Sequence, residues 1–257
     1  MKRGKLRKMQ TFTVVNKKGG SGKTSTALAM VDLLRRKGRV LCVDMDPQGN
    51  MSAVLRADRS VQGTSELLQK KDAKLEDYVQ NVLENVDLVA GEGSLVDVEP
   101  ALAKAVGREM RLAKALAQAK DYAFCIIDTP PSIGLLTVNA LCAAEKAVIA
   151  ANADAFSADG YAEIAGDVDD VREFFNPGLR VDGILLTRFN ERTTLARQMV
   201  KEYSDLAERT GTKLYQTRIR ECVAVREAQY TRQLLSDYSK KNNAVDDYTA
   251  WLEELEV

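Results

Sequence analysis

The sequence predicts an α/β fold: one mostly parallel twisted sheet with helices on both faces. Three observations predict it. Short apolar runs and helical periodicities alternate along most of the chain. The apolar runs are continuous rather than alternating, as strands buried on both faces require. A glycine-rich turn joins the first apolar run directly to the first helical pattern, giving a strand–loop–helix unit. At 257 residues, the expectation is one sizeable core rather than several.

Taken in order, strands are expected at Thr11–Val15, Val40–Val43, Val86–Ala90, Phe124–Ile127, Ala147–Ala150 and Gly183–Thr187. Helical periodicities fall around 24–37, 108–119, 133–144, 160–175 and 194–208. Residues 51–85 are the most polar stretch and read as short helices and loops. A last helix, about 243–255, sets Val245, Tyr248, Leu252 and Leu255 on one face, a stripe best explained by core packing. No long linker, repeat or low-complexity segment interrupts the pattern. Residues 1–10 read as a basic N-terminal arm, and 11–257 as a single domain.

Composition narrows the function. Apolar content of 45% and charged content of 29% are those of a globular protein. No run of about 18 apolar residues is present, so no transmembrane helix is expected. The arm Met1–Lys8 is basic but lacks the apolar stretch of a signal peptide. Four cysteines, Cys42, Cys125, Cys142 and Cys222, form no C-x-x-C pair, and a reducing cytoplasm suits them better than a disulfide scaffold. Cys42 and Cys125 fall inside strand patterns, where a thiol behaves as a small hydrophobe. The absence of histidine removes imidazole acid–base chemistry and His metal sites. Net charge is zero, so any nucleic-acid contact must come from a local patch.

The chemistry is concentrated in three motifs. The first is Asn16-Lys17-Lys18-Gly19-Gly20-Ser21-Gly22-Lys23-Thr24-Ser25, between the first strand and first helix. Its glycines admit phosphates close to the backbone, and the helix start turns free N–H groups and a positive dipole end toward them. Lys23 can reach β- and γ-phosphates, and the Thr24 hydroxyl can ligate Mg²⁺. The second is Asp44-Met45-Asp46-Pro47-Gln48-Gly49-Asn50, at the carboxyl end of the second strand, where ligands bind in open α/β sheets. Asp46 is placed to orient an attacking water and Asp44 to lie near the metal shell. The third is Phe124-Cys125-Ile126-Ile127-Asp128-Thr129-Pro130-Pro131-Ser132, an apolar strand ending in an acid that holds Mg²⁺ directly or through water.

In the first motif Lys17 stands where the usual loop has glycine, and Lys18 precedes the glycine pair. K-G-G-x-G-K-[ST] is the deviant Walker A motif of the ParA/MinD group of P-loop ATPases. The three motifs resemble the ParA/Soj partition ATPases, and the resemblance covers nearly the whole chain. Thr137-Val138-Asn139-Ala140-Leu141 resembles that family's T-x-N-A-L helix, and Phe156–Gly160 its F-S-x-x-G stretch. Gly183–Thr193 resembles its G-[IV]-L-x-T-x-[FY]-x-x-R-T strand and loop, and Ile219–Ala228 its I-x-x-x-V-x-[LV]-x-E-A segment. This chain departs with Arg220-Glu221 where the family has Pro-Arg, with Ala224 at a basic position, and with Gln229 in place of proline.

The resemblance implies a single P-loop NTPase domain and an ATP-dependent homodimer with ATP and Mg²⁺ as ligands. Lys18 reaches in trans to the partner's phosphates, and Lys18, Lys23 and Asp46 form the catalytic set. Nucleotide contacts are implied for Lys18, Gly19, Gly20, Ser21, Gly22, Lys23, Thr24, Ser25, Thr187, Arg188, Ile219 and Arg220. Thr24, Asp44 and Asp128 are implied at the metal. The ATP dimer binds double-stranded DNA without sequence preference, and a ParB-type centromere-binding partner stimulates hydrolysis. Such a protein is cytoplasmic and nucleoid-associated. Gly178–Lys241 carries thirteen Lys/Arg against eight Asp/Glu, and Arg192, Arg218, Arg226 and Arg232 are the candidate DNA contacts.

Two rivals stay open. A MinD-like ATPase would use membrane as its surface, but it needs a basic amphipathic C-terminal helix, and this chain ends Asp246–Val257 with an acidic one. A nucleotide-gated scaffold with negligible hydrolysis would share every motif above. Scattered cysteines argue against an iron–sulfur relative, and the lack of a C-terminal tyrosine cluster against a tyrosine autokinase.

Overall fold

The computed structural model describes residues 8–152, 157–255 and 257. Its centre is a seven-stranded sheet of β1 (Gln10–Val15), β2 (Val40–Asp44), β3 (Val79–Leu83), β4 (Val86–Val89), β5 (Phe124–Asp128), β6 (Lys146–Asn152) and β7 (Arg180–Thr187). The order is β3-β4-β2-β5-β1-β6-β7, and every pairing is parallel except β3 with β4. β2 and β5 are buried along their whole length, as near-continuous Val/Ile/Leu/Cys runs demand of central parallel strands.

Helices cover both faces. They are α1 (Lys23–Leu34), α2 (Asn50–Val54), α3 (Thr64–Gln69), α4 (Val98–Ala101), α5 (Arg111–Leu116), α6 (Leu135–Ala143), α7 (Ser157–Phe174), α8 (Thr194–Arg209), α9 (Val223–Tyr230), α10 (Leu235–Tyr238) and α11 (Asn243–Glu254). One core cluster packs α1 and α11 against the sheet, around Phe12, Met30, Leu34 and Trp251. On the other face α3, α5 and α6 close over Leu41, Val43 and Ile127. A third cluster joins α7 and α8 to β6 and β7 through Ile149, Ile164, Leu186 and Tyr203.

α11 locks the phosphate-loop helix in place. Trp251, fully buried, meets Tyr215 and Tyr248 edge to face at 5.7 Å and 6.2 Å between ring centroids. Losing a side chain of that size from a packed core costs about 3–5 kcal/mol. Asn242 caps α11 by accepting the Ala244 and Val245 amides. The buried side of α11 is Ala244, Tyr248, Trp251 and Leu252, with Leu255 beyond its end; Val245 is only half-buried, so the expected stripe is rotated toward Trp251.

The six expected strands are present with boundaries shifted by a few residues, but β3 was not foreseen. Its residues, Val-Gln-Asn-Val-Leu, neither alternate nor run apolar, because β3 is a half-exposed antiparallel edge strand. The expected helix at 108–119 is a 3₁₀ turn over Arg108–Met110 followed by the short α5. α9 appears where the sequence reading assigned no helix. Residues 1–7 of the basic arm, and Phe156 of the F-S-x-x-G stretch, lie outside the described residues.

Candidate nucleotide site

The carboxyl ends of β1, β2, β5 and β7 bring Val15, Asp44, Asp128 and Thr187 to one edge of the sheet. The loop leaving β1 is tied down from both sides. Asn16 Nδ2 donates to the Ala150 carbonyl at 2.6 Å, and Asn16 Oδ1 accepts the Lys18 amide at 2.9 Å. Asn152 Nδ2 donates to the Gly20 carbonyl at 3.1 Å. The Thr187 hydroxyl donates to the Ser21 carbonyl at 2.8 Å.

Gly22 explains the glycine at its position. Its φ is +87°, and a Cβ there would stand 2.9 Å from Thr187 Oγ1. Gly22 is also the N-cap of α1, and no side chain caps that helix. The first-turn N–H groups have no intrahelical partner, so the helix start is a ready anion site.

Lys23 follows, 6% exposed, with its Nζ donating to the Lys18 carbonyl at 3.1 Å. Burial lowers its pKa below the usual lysine value, against the opposing pull of Asp128 and Asp46. Asp128 lies at the end of β5, fully buried, and among the described residues neither carboxylate oxygen has a partner at good hydrogen-bond geometry, the Thr24 hydroxyl being close enough only to favour its charge. Burial raises its pKa well above the usual range; Asp44 and Asp46 push the same way, while the nearby Thr24 hydroxyl and Lys23 oppose. A buried carboxylate with two orphan oxygens beside a threonine hydroxyl fits a hard divalent cation, which takes oxygen ligands. Thr24 and Asp128 are the residues that could hold it.

Asp44 is the register neighbour of Asp128. Its carboxylate is turned to Ser52, whose amide and hydroxyl donate to Oδ2 at 2.8 Å and 2.7 Å, and to the Asp46 amide at 3.1 Å. Burial nevertheless pushes its pKa up to about 6. Asp46 is 6% exposed and on the cavity wall, with Oδ1 accepting the Gln48 amide at 2.9 Å.

These residues open into a cavity of about 540 Å³. Gly19 to Ser25 form one wall, and Thr187, Arg188, Ile219 and Arg220 another. Lys18, Asp44 and Asp128 are not on its wall. Arg188 holds φ +50° and pairs with Glu221 at 3.3 Å; Arg220 forms a fork to Asp247 with a closest approach of 2.6 Å. The four candidate DNA arginines are not brought together. Arg192 is exposed just before Thr193, the N-cap of α8. The Arg218 guanidinium lies over the Phe189 ring at 5.3 Å. Arg226 and Arg232 line the cavity itself. The sequence reading missed Gln48, Asn50, Val225, Gln229 and Tyr248 on the wall. Gln48 and Asn50 sat inside a quoted motif, but nothing in the sequence said that Tyr248 reaches the cavity from α11.

A phosphate loop at the end of a central parallel strand, with acids at the ends of its neighbours, places the chain among the P-loop NTPases. A family profile described as an AAA domain matches residues 9–181. The sporulation initiation inhibitor protein Soj of Bacillus subtilis is 32% identical over 92% of this chain and 94% of its own length. The chromosome-partitioning ATPase Soj of Thermus thermophilus is 34% identical over 96% of each chain. A crystal structure of cobyrinic acid a,c-diamide synthase from Mycobacterium smegmatis, with bound ATP analogue and magnesium, superposes with a TM-score of 0.80. It is 28% identical and covers 96% of this chain and 94% of that one. The chain belongs to the ParA/Soj family of partition ATPases.

Proposed function

We propose that this chain is an Mg²⁺-dependent ATPase that partitions DNA. Its ATP-bound homodimer binds double-stranded DNA without sequence preference and hydrolyses ATP when a ParB-type centromere-binding protein engages it. The observation that carries this reading is the pairing of an uncapped, glycine-started α1 and buried Lys23 with the orphaned carboxylate of Asp128. The partition role is supported by the Soj relatives.

In this reading the Gly19–Thr24 backbone and Lys23 bind the phosphates. Thr24 and Asp128 hold Mg²⁺, which neutralises charge developing on the transferred phosphoryl group. Asp46 orients the attacking water with the oxygen not taken by the Gln48 amide. Asp44 holds the start of α2 through Ser52 and so fixes the Asp46–Asn50 turn. Lys18 reaches the partner's phosphates, and Arg192 with Arg218 meets DNA phosphates.

Membrane as the surface is disfavoured by α11. Its apolar side is packed in the core and its exposed side is acidic, and no helix among the described residues is long and apolar enough to cross a membrane.

The test is binding of Asp46→Ala to random-sequence duplex DNA with ATP, with ADP and without nucleotide, over a salt series. Binding only with ATP, steeply weakened by salt, is expected. An ATP-induced dimer without DNA affinity would remove DNA as its surface.

A further inference from the structure

Two arginines on the cavity wall have no acidic partner among the described residues. Arg226 comes from α9 and Arg232 from just beyond its end. Neither forms a salt bridge among the described residues, whereas Arg188 and Arg220 on the same wall are paired with Glu221 and Asp247. A guanidinium left unpaired on the wall of a phosphate-binding cavity is a ready partner for an anion.

α9 is pinned where it faces the phosphate loop. Gln229 Nε2 donates to Ser25 Oγ at 2.9 Å, in the first turn of α1. Arg56 Nε donates to the Arg232 carbonyl at 3.1 Å, and the Tyr238 hydroxyl donates to Glu227 at 3.1 Å. Arg226 precedes Gln229 by one helical turn, and Arg232 follows it by three residues. Ser25, Arg226, Gln229 and Arg232 all line the same cavity, so both arginines share its wall with the start of α1. Arg232 holds φ +54° as the residue after the α9 C-cap, with its amide donating to the Gln229 carbonyl and the Gln233 amide to the Ala228 carbonyl, so the helix ending fixes where its side chain leaves the backbone.

We propose that Arg226 and Arg232 are nucleotide-binding residues. Their guanidiniums hold the α-phosphate side of a nucleotide whose terminal phosphates lie in the Gly19–Lys23 loop. The inference rests on the nucleotide reading above. It also takes this pair off the DNA-facing surface to which their sequence context assigned them, leaving Arg192 and Arg218 there.

The test is calorimetric titration of ADP and of AMP into the full chain with Mg²⁺, for the parent, Arg226→Ala, Arg232→Ala and Arg192→Ala. Each of the first two variants should weaken ADP and AMP about tenfold, the effect of losing one charge-assisted contact. Arg192→Ala should bind as the parent does. Arg226→Lys and Arg232→Lys, which keep the charge, should recover most of the affinity. Both positions are exposed, so ligand-free melts should match the parent. Parent-like ADP and AMP affinity in both alanine variants would overturn the inference alone. Loss of DNA binding at saturating nucleotide, with ADP affinity intact, would also overturn it and return the pair to the DNA surface. A parent that binds no ADP would defeat the nucleotide reading itself, and this inference with it.

Discussion

Thr187 donates its hydroxyl to the Ser21 carbonyl at 2.8 Å, on the spot that a side chain at residue 22 would occupy. The end of β7 therefore sets the shape of the phosphate loop, 166 residues away in sequence. Gly22→Ala meets both a 2.9 Å contact with Thr187 and a φ of +87°. It should lose nucleotide affinity and about 2 kcal/mol of stability. Thr187→Val removes the hydrogen bond while keeping the shape, and should lose only about 1 kcal/mol. Urea melts followed by Trp251 fluorescence measure both; equal loss in the two variants would contradict the steric account.

Lys23 sets function against stability. Its pKa is lowered from the ordinary 10.5, chiefly by burial, so the folded ligand-free protein disfavours the cation. Between the lowered folded value and 10.5 the unfolded chain binds more protons, and stability therefore rises with pH across that window. Below the folded value the full destabilisation is present. Lys23→Met should be as stable as the parent at neutral pH, or more so by about 1 kcal/mol. Its advantage should shrink as pH rises toward 10.5. The same variant should lose ATP-dependent dimerisation in light scattering. A variant that still dimerises with ATP contradicts the phosphate role, and one much less stable than the parent contradicts the burial argument.

Of the two acids in the Asp44–Asp46 turn, Asp46 faces the cavity and Asp44 does not. Asp46→Ala should bind ATP with parent-like affinity and release phosphate at least about a hundredfold more slowly, the usual yield of a positioned acid–base group. It should accumulate as a dimer. Ser52→Ala tests the other acid: it leaves a buried carboxylate short of a hydrogen bond and should lose about 1–3 kcal/mol of stability. Undiminished phosphate release from Asp46→Ala would reassign the water-orienting role.

Much of this was legible in the sequence, and the limits have physical causes. The phosphate loop, Asp46 and Asp128 sit in contiguous motifs whose spacing is set by one strand and one turn, so local pattern suffices for them. β3 escaped because an edge strand needs no apolar alternation. Gln229 and Tyr248 escaped because they reach the cavity only through the packing of α9 and α11 on α1, a relationship across some 200 residues. The same packing places Arg226 and Arg232 on the cavity, which sequence context alone could not do.

Of the two arginines left to the proposed DNA surface, Arg192 and Arg218, Arg192 is the more exposed. It is exposed, and no acid pairs with it among the described residues. Its amide donates to Asn190 Oδ1 at 3.2 Å, and the next residue, Thr193, caps α8 by accepting the Ala196 amide at 3.1 Å. These two hydrogen bonds hold the turn while the guanidinium has no acidic partner among the described residues, and it stands at the positive end of a sixteen-residue helix, where phosphate is favoured. Nonspecific binding depends on the number of phosphates neutralised, so removing one contact should lower the slope of log affinity against log salt by about one. Arg192→Glu should do this and weaken binding further by repulsion, by about tenfold at low salt, while ADP affinity is unchanged. Fluorescence anisotropy with a random duplex at matched salt measures it. Parent-like affinity and slope would remove Arg192 from the DNA surface, and the search would move to the guanidinium of Arg218 over Phe189.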